Sequence, residues 1–388
     1  MEIRWLRAED YDELLSMLNS VFENKYKRAV DFLTEQPKMW VRDDLHMGKH
    51  IGAFDGDVLA AVVGMYPLPT VIGGVKCDFY TTGNVATRPE YEGQGLFSLL
   101  FAEVMKRCDE VGACAARLGG ARQRYGRFGF EPIGASYSFE LNGANVIKCI
   151  PESGIEFYEV LPEDSDGLEF IRELMRNKQF YVERYGDRDL YLALGSKHSR
   201  PYIATRGGVK LGYLTSYADA QYVGASVLGR HIAEFGAISD EAAVEMLGAW
   251  QRYTEKSVTV SLAPHQCTLI EKMAEIAEGF SISSPSRFRI LDYERLADAL
   301  MKLKDSYRAL PEGDATLGIE GYGVIKLYKN KSGVGAKLID GEAEVTVDRS
   351  VASRMLFATS EVMLPSSTTE ALRRYLPLPL SWNTNDYV

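Results

Sequence analysis

One stretch organises the first third of this chain: Gly83-Asn84-Val85-Ala86-Thr87-Arg88-Pro89-Glu90-Tyr91-Glu92-Gly93-Gln94-Gly95-Leu96-Phe97. A strand is predicted to end at Thr87 because Pro89 cannot continue it, and two glycines then precede an amphipathic helix from Phe97 to Glu110. Unpaired backbone N–H groups and the positive end of the helix dipole would converge there, where an anion such as pyrophosphate fits. A Gly-x-Gly before a helix is also common as a plain tight turn, so both interpretations stay open at this point.

Two better-known phosphate motifs can be tested against this stretch. A P-loop ends in Gly-Lys-Ser or Gly-Lys-Thr, and no such sequence follows the glycines. A dinucleotide-binding fingerprint needs a third glycine three residues after Gly95, where this chain has Ser98. Neither motif explains the stretch.

A second motif lies farther along, in Arg122-Gln123-Arg124-Tyr125-Gly126-Arg127-Phe128-Gly129-Phe130. This pattern predicts a short helix that carries Tyr125, ends at Gly129 and leads into a strand from Phe130. A phenol held close to a developing thiolate can act as a general acid. The alternative is a core tyrosine that only packs beneath a bound cofactor.

Together the two motifs resemble the GNAT acetyltransferase superfamily, whose cofactor segment is written Gln/Arg-x-x-Gly-x-Gly/Ala and is followed by a similar Tyr-x-x-x-Gly-Phe. Gly93 and Gly95 match this pattern, whereas Glu90 stands where the family has Gln or Arg. The resemblance implies that acetyl-CoA is the co-substrate and that Tyr125 protonates the departing CoA sulfur. It places the pantetheine arm along one strand and the pyrophosphate on the following loop. The cofactor residues so implied are Val85, Ala86, Thr87, Glu92, Gly93, Gln94, Gly95, Leu96 and Phe97.

The order of predicted elements indicates an α/β (α+β) fold with a mixed twisted sheet and flanking helices. Residues 1–150 form the catalytic domain in this interpretation, with strands near 50–54, 58–66, 77–87 and 113–118. Residues 151–286 suggest a degenerate repeat of that domain, in which Gly207-Gly208 turns between two strands. Residues 287–388 form a smaller α/β domain. This arrangement resembles the enhanced intracellular survival (Eis-like) acetyltransferases, whose last domain is similar to sterol carrier proteins.

The C-terminal tail is apolar and proline-rich up to the last residues, whereas frayed termini are usually polar. A tail of this composition is expected to be packed against the protein. In Eis-like enzymes the terminal carboxylate is the general base, so the resemblance assigns that role to the carboxylate of Val388 and lets Asp386 add negative potential. The alternatives are a tail that packs without catalysing and an acid that is only solvated.

Candidate acceptor-site residues are Phe22, Glu23 and Trp40, because the end of the first helix borders the acceptor in GNAT folds. A solvated acid and core aromatics are the simpler interpretations of these three residues. His46 and His50 are four residues apart in a predicted loop with no acidic ligand in register, so no metal site is predicted.

Composition narrows the possible partners. The net charge of −10 argues against nucleic acid, and no apolar stretch approaches the roughly 20 residues of a membrane span. The five scattered cysteines form no CxxC pair, and the N-terminus lacks a signal-peptide core, so a cytoplasmic protein is expected. The resemblance to Eis-like proteins implies a homo-oligomer, a trimer or a hexamer.

Two functions remain at this stage. The first is N-acetyl transfer from acetyl-CoA to a primary amine of an aminoglycoside, a polyamine or a lysine side chain. The alternative is a non-catalytic protein that keeps the GNAT fold and binds an acyl-CoA or another apolar ligand.

Overall fold

A computed structural model describes residues 1–217, 230–382 and 385 of the chain. Its elements are mixed α/β throughout, which confirms the predicted fold class. None of the helices among the described residues is long and apolar enough to cross a membrane.

The first segment alternates strands and helices in the predicted order. Its strands are β1 (Glu2–Trp5), β2 (His50–Asp55), β3 (Val58–Ile72), β4 (Val75–Thr87), β5 (Ala115–Leu118), β6 (Glu131–Ile133) and β7 (Ser136–Leu141). Its helices are α1 (Tyr11–Tyr26), α2 (Phe32–Glu35), α3 (Asp44–Met47), α4 (Leu96–Glu110), α5 (Arg122–Tyr125) and α6 (Gly143–Cys149). The prediction of a loop around the first two histidines was wrong, because His46 lies in α3 and His50 begins β2.

The second segment follows a similar order. Its strands are β8 (Glu156–Glu159), β9 (Phe180–Val182), β10 (Ser199–Arg206), β11 (Val209–Tyr217), β12 (Ile232–Ala237), β13 (Val258–Leu262), β14 (Gly279–Ser283) and β15 (Ser286–Ile290). Its helices are α7 (Ser165–Arg176), α8 (Gly186–Leu194), α9 (Asp240–Thr254) and α10 (Cys267–Ile276).

The C-terminal segment is a small sheet with helices. It contains α11 (Tyr293–Tyr307), β16 (Gly313–Ile319), β17 (Gly323–Asn330), β18 (Gly333–Ile339), β19 (Val345–Val347), α12 (Arg349–Leu356) and α13 (Glu370–Arg373). Its strands pair in the order β18-β17-β16-β19.

The first two segments exchange strands. The first sheet has the order β1-β2-β3-β4-β5-β15-β6, so that a strand from the end of the second segment lies between β5 and β6. In the same way β7, from the first segment, lies between β13 and β14. The boundary predicted near residue 286 therefore falls at the start of a strand of the first sheet. Each of these two sheets therefore contains a strand from the other segment, and the degenerate repeat of the first segment stays a prediction.

The apolar tail packs into the core between the C-terminal segment and the first sheet. Trp382 is buried, with its ring 5.2 Å from Phe79 and 6.2 Å from Phe288. The backbone N–H of Ala135 donates to the carbonyl of Leu380 at 2.8 Å. The tail is therefore tied to the first sheet up to Trp382, as its composition predicts.

Candidate functional site

The two central strands of the first sheet separate. Among the described residues, the parallel ladder between β4 and β5 covers only the pairs from Phe79–Ala115 to Thr81–Arg117. Beyond Thr81, β4 continues to Thr87 beside β3 alone, whereas β5 ends at Leu118. This separation leaves one edge of β4 facing a gap, and backbone groups on a sheet edge can pair with an extended ligand. Val85, Ala86 and Thr87 lie along that edge.

A β-bulge interrupts β4 within the gap. Val62 pairs with Ala86 and Gly64 pairs with Gly83, so one residue of β3 faces two residues of β4, Asn84 and Val85. Asn84 is buried and has a φ of 52°, in the left-handed region. A bulge leaves its extra residue outside the ladder and turns local backbone groups to a new direction. A backbone N–H at Asn84 or Val85 can thereby point away from β3.

The loop after β4 delivers the start of α4 to the same gap. Gly93 and Gly95 both have a φ of 77°, and Gly95 is the N-cap of α4. Of the described side chains, none caps this terminus, and its first turn carries no acidic residue. The free N–H groups and the helix dipole therefore suit an anion. Glu92, Gly93, Gln94 and Gly95 are exposed, Phe97 is half-buried and Leu96 is buried.

The helix α9 of the second segment begins differently. The N-terminus of α9 is capped by Ser239, whose side chain accepts the N–H of Ala242 at 3.1 Å. Asp240 and Glu241 add two negative charges to its first turn. An anion at this terminus would meet a satisfied donor and like charges. The two helix termini are therefore opposite in their electrostatic preference, and the one in the first segment suits pyrophosphate.

Two arginines lie beside the start of α4. The guanidinium carbons of Arg124 and Arg127 lie 5.9 Å and 5.8 Å from the centre of the Phe97 ring. Arg127 also donates to the hydroxyl of Ser98 at 2.7 Å. Both positive charges therefore lie near the uncapped terminus. They were not among the predicted site residues, although their positions on either side of Tyr125 in the sequence could have indicated them.

Tyr125 packs directly against this helix start. Its ring lies 5.7 Å from Phe97, edge to face, and 5.4 Å from Phe101. Gly120 makes room for it, since a Cβ at that glycine would stand 2.4 Å from the Tyr125 ring. Burial raises the pKa of Tyr125, so the phenol is protonated at neutral pH, which is the form a proton donor needs.

The candidate acceptor residues lie on the α1 side of the sheet. The Trp40 ring stacks on His50 at 5.8 Å and meets the edge of Phe32 at 6.0 Å. Phe22 packs against the same Phe32 at 5.1 Å, so Phe22 and Trp40 belong to one aromatic cluster. The carboxylate of Glu23 accepts the N–H of Val30 at 3.4 Å, which closes the turn after α1.

Trp382 of the tail lies beside the paired residues of β4 and β5. Arg117, at the last β4–β5 pair, is fully buried and donates to the hydroxyls of Thr81 at 3.2 Å and Ser286 at 3.1 Å. Its guanidinium lies 5.4 Å from the Trp382 ring. Asn385 then donates to the Thr215 hydroxyl at 2.9 Å.

The Asn385 carbonyl accepts from Lys38, in the short 3₁₀ helix after α2, at 3.4 Å. Asp386 and Val388 follow at once in the sequence but lie outside the described residues. Asn385 is therefore bonded both to β11 of the second segment and to the residues that follow α2.

The histidines predicted not to bind metal have other partners. His46 pairs with Asp43 at 2.8 Å, and His50 is hydrogen-bonded to the hydroxyl of Tyr66 at 2.7 Å. Within the part of the chain that the structure describes, there is no group of three or more His, Cys, Asp or Glu side chains suited to a metal ion.

Comparisons with known proteins agree with this geometry. Residues 2–133 match the acetyltransferase (GNAT) domain family. A GCN5-related N-acetyltransferase from Anabaena variabilis superposes with a TM-score of 0.69 and 14% identity over 100% of both chains. A probable N-acyltransferase from Enterococcus faecalis gives a TM-score of 0.71 and 16% identity over 100% of this chain and 99% of that one. Eis1 from Mycobacterium abscessus gives 0.66 and 13% over 100% of both chains. None of the curated proteins matches the chain.

These structural likenesses extend over the whole chain, and at such low identity they describe its fold. The family match covers the residues that build β1 to β6, the uncapped terminus of α4 and Tyr125. Residues 2–133 therefore form an acetyltransferase (GNAT) domain, and the protein is an acyltransferase.

Proposed function

We propose that this acyltransferase transfers the acetyl group of acetyl-CoA directly to a primary amine within a ternary complex. The acceptor is a cationic small molecule, similar to an aminoglycoside or a polyamine, or a lysine side chain. The observation that carries the proposal is the uncapped, left-handed Gly93–Gly95 start of α4 at the end of a separated β4, with Tyr125 packed against it.

The acetyl-CoA site follows from these backbone groups. Pyrophosphate oxygens accept from the N–H groups at Gly95, Leu96 and Phe97, where the helix dipole favours negative charge. The amides of the pantetheine arm pair with the open edge of β4 from Val85 to Thr87. Arg124 and Arg127 add positive charge close to the phosphates.

The reaction then needs three groups around the thioester. The acceptor ammonium loses a proton to a base, and its nitrogen forms a bond to the thioester carbon. A backbone N–H of the β4 bulge, near Val85, stabilises the developing oxyanion. As the C–S bond breaks, Tyr125 gives its proton to the CoA sulfur.

The base in this proposal is the carboxylate of Val388, acting directly or through water. The support is the course of the tail, which is packed at Trp382 beside the gap and bonded at Asn385 to Thr215 and Lys38. In this proposal Asp386 adds negative potential for a cationic acceptor. Phe22, Glu23 and Trp40 border the acceptor on the α1 side.

Thiol release tests the reaction. Acetyl-CoA is titrated into the protein by calorimetry, and CoA release is then followed with an aminoglycoside, a polyamine and a lysine peptide. We expect acetyl-CoA to bind in the range of about 1 μM to 1 mM, with amine-dependent thiol release for at least one acceptor. Binding without release for any amine would favour the non-catalytic ligand-binding alternative.

Gly95→Ala tests the pyrophosphate loop. A left-handed alanine costs roughly 1–2 kcal/mol, so we expect the Kd for acetyl-CoA to rise about 5- to 30-fold as the loop changes shape. Gly112→Ala is the matched control, because Gly112 has a φ of 66° at the other end of the same helix and also faces open space. Calorimetry should show a weaker complex for the first variant alone. Equal affinities in both variants would contradict the loop assignment.

Deleting Val388 tests the base. Loss of general-base catalysis is expected to lower kcat by roughly 10²–10⁴-fold, with little change in the Kd for acetyl-CoA. Val388→Ala is the control, since it keeps a terminal carboxylate at the same position and should retain most of the activity. Unchanged turnover after the deletion would remove the terminal carboxylate from the mechanism.

A further inference from the structure

A buried chain of hydrogen bonds connects the start of β2 with the bulge of β4. It consists of His50, Tyr66 and Asn84, which are 0%, 2% and 5% exposed. They come from three neighbouring strands, and all three lie within the matched GNAT domain. Buried polar groups are expensive unless they are paired, so a chain that crosses three strands needs a physical reason.

The direction of every hydrogen bond in this chain is fixed by chemistry. The Met47 carbonyl can only accept, so Nδ1 of His50 donates to it at 3.2 Å. Burial lowers the pKa of His50 to about 4, which keeps the ring neutral and leaves Nε2 as an acceptor. The Tyr66 hydroxyl therefore donates to Nε2 at 2.7 Å. Its oxygen in turn accepts from Nδ2 of Asn84 at 2.5 Å.

Asn84 is the end of the chain and also the strained residue of the bulge. A φ of 52° is costly for residues with a side chain, although asparagine tolerates it better than most. Glycine would adopt this φ freely, but it has no side-chain amide that could donate to Tyr66. The side-chain bond thus holds Asn84 in the conformation that keeps it and Val85 outside the β3 ladder.

The surroundings are shaped to admit this chain. Gly64 faces Tyr66 from the same strand, and a Cβ at Gly64 would lie 2.3 Å from the Tyr66 hydroxyl oxygen. Trp40 stacks on His50 at an interplanar angle of 20° and fixes the plane of the imidazole. Two features therefore direct the Tyr66 phenol to the bulge. Gly64 on β3 has no side chain that would block it. His50, which accepts its hydrogen bond, is held in place by the Met47 carbonyl and by Trp40.

We propose that His50, Tyr66 and Asn84 are positioning residues, which hold the β4 bulge so that its backbone N–H binds the carbonyl oxygen of the acetyl thioester. The inference rests on the proposed acetyl transfer. An oxyanion donor acts through preorganisation, and a displacement of about 1 Å can cost 10²-fold in rate. A hydrogen-bonded chain anchored in the core supplies that rigidity, because the bulge itself lies outside the strand ladder.

Two variants each remove one link of this hydrogen-bond chain. Asn84→Gly keeps the left-handed backbone accessible and deletes the amide donor, and Tyr66→Phe keeps the ring and deletes the hydroxyl. The control is Tyr293→Phe, since Tyr293 is an equally buried phenol in α11 that donates to the Arg349 carbonyl at 2.9 Å, far from the bulge in the sequence. All three variants lose a buried hydrogen bond, so all three should lose stability.

The readouts are kcat from thiol release, the Kd for acetyl-CoA, and the infrared band of the bound thioester carbonyl in isotope-labelled acetyl-CoA. We expect the first two variants to lower kcat roughly 10- to 10³-fold, with the Kd within about 2-fold of the unaltered protein. The carbonyl band, shifted to lower frequency by the N–H of the bulge, should return toward its free position. Tyr293→Phe should change neither kcat nor the band.

The infrared band of the bound thioester carbonyl distinguishes a failure of the positioning role from a failure of the proposed acetyl transfer. If the unaltered protein binds acetyl-CoA with a shifted band but releases no thiol with any amine, acetyl transfer fails and the positioning role stands. If the unaltered protein turns over and both variants keep its kcat and its band, the positioning role is overturned. An unshifted band in the unaltered protein would also overturn it.

Discussion

Tyr125→Phe is expected to lower kcat by roughly 10²–10⁴-fold, with the Kd for acetyl-CoA nearly unchanged. Phenylalanine keeps the contacts with Phe97 and Phe101, so the cofactor loop retains its support and only the proton donor is lost. Single-turnover thiol release with a saturating amine measures the effect on the chemical step. Tyr91→Phe is the matched control, because the Tyr91 hydroxyl donates to Asp55 at 3.0 Å beside the same loop and the proposed mechanism gives it no role.

The pH dependence of the same step gives a second measurement. Burial raises the pKa of Tyr125, and a general acid must be protonated to act. The rate should therefore hold to a pH above the ordinary tyrosine value of about 10 before it declines, and Tyr125→Phe should lack this decline. If Tyr125→Phe kept full kcat, Tyr125 would be a packing residue only.

Glu234→Gln is expected to destabilise the fold by about 3–5 kcal/mol. The Glu234 carboxylate is buried, accepts from Arg184 at 2.8 Å and from the Tyr213 hydroxyl at 2.6 Å, and lies 3.8 Å from Lys178. The amide removes the negative charge that faces the buried Arg184 and the half-buried Lys178. Urea unfolding at neutral pH, followed by circular dichroism, measures the loss. Glu159→Gln, which breaks the exposed pair with Arg200, should cost no more than about 1 kcal/mol.

At acid pH, the unaltered protein and Glu234→Gln should have the same free energy of unfolding. Burial alone would raise the pKa of Glu234, but the charges of Arg184 and Lys178 outweigh it and hold that pKa well below its usual range. A carboxyl with a depressed pKa stabilises the fold above its unfolded value, about 4.3, and loses that contribution as the pH falls through the folded value. A gap between the two proteins that stayed constant from neutral pH to below about pH 4 would contradict this role.

The local parts of the site could be predicted because their signals are local. Gly93 and Gly95 before an amphipathic helix indicate either a tight turn or an anion-binding helix terminus, independently of the rest of the chain. The Tyr125 motif was predictable for the same reason: helical structure ends before Gly129, and β6 begins at Glu131, one residue after the predicted start. The separation of β4 from β5, by contrast, has no signal in the residues themselves.

Contacts between segments that are distant in the sequence could not be predicted from local patterns. β7 and β15 have the ordinary alternating pattern of half-buried strands, and nothing in that pattern selects a partner in the other segment. His50, Tyr66 and Asn84 join only because the register of β2, β3 and β4 aligns them. The sequence does carry an indication of the left-handed Asn84, because Gly83-Asn84 interrupts a strand pattern in the way that a bulge does.

A crystal structure with CoA bound is the most direct test of the proposed acetyl-CoA site. We expect the pyrophosphate oxygens to lie within hydrogen-bonding distance of the backbone N–H groups from Gly95 to Phe97. The pantetheine arm should lie along Val85 to Thr87, and the sulfur beside the Tyr125 hydroxyl. The start of α9 in the second segment should hold no phosphate. Phosphates bound away from α4, or a sulfur remote from Tyr125, would contradict the acetyl-CoA site on which the proposed function rests.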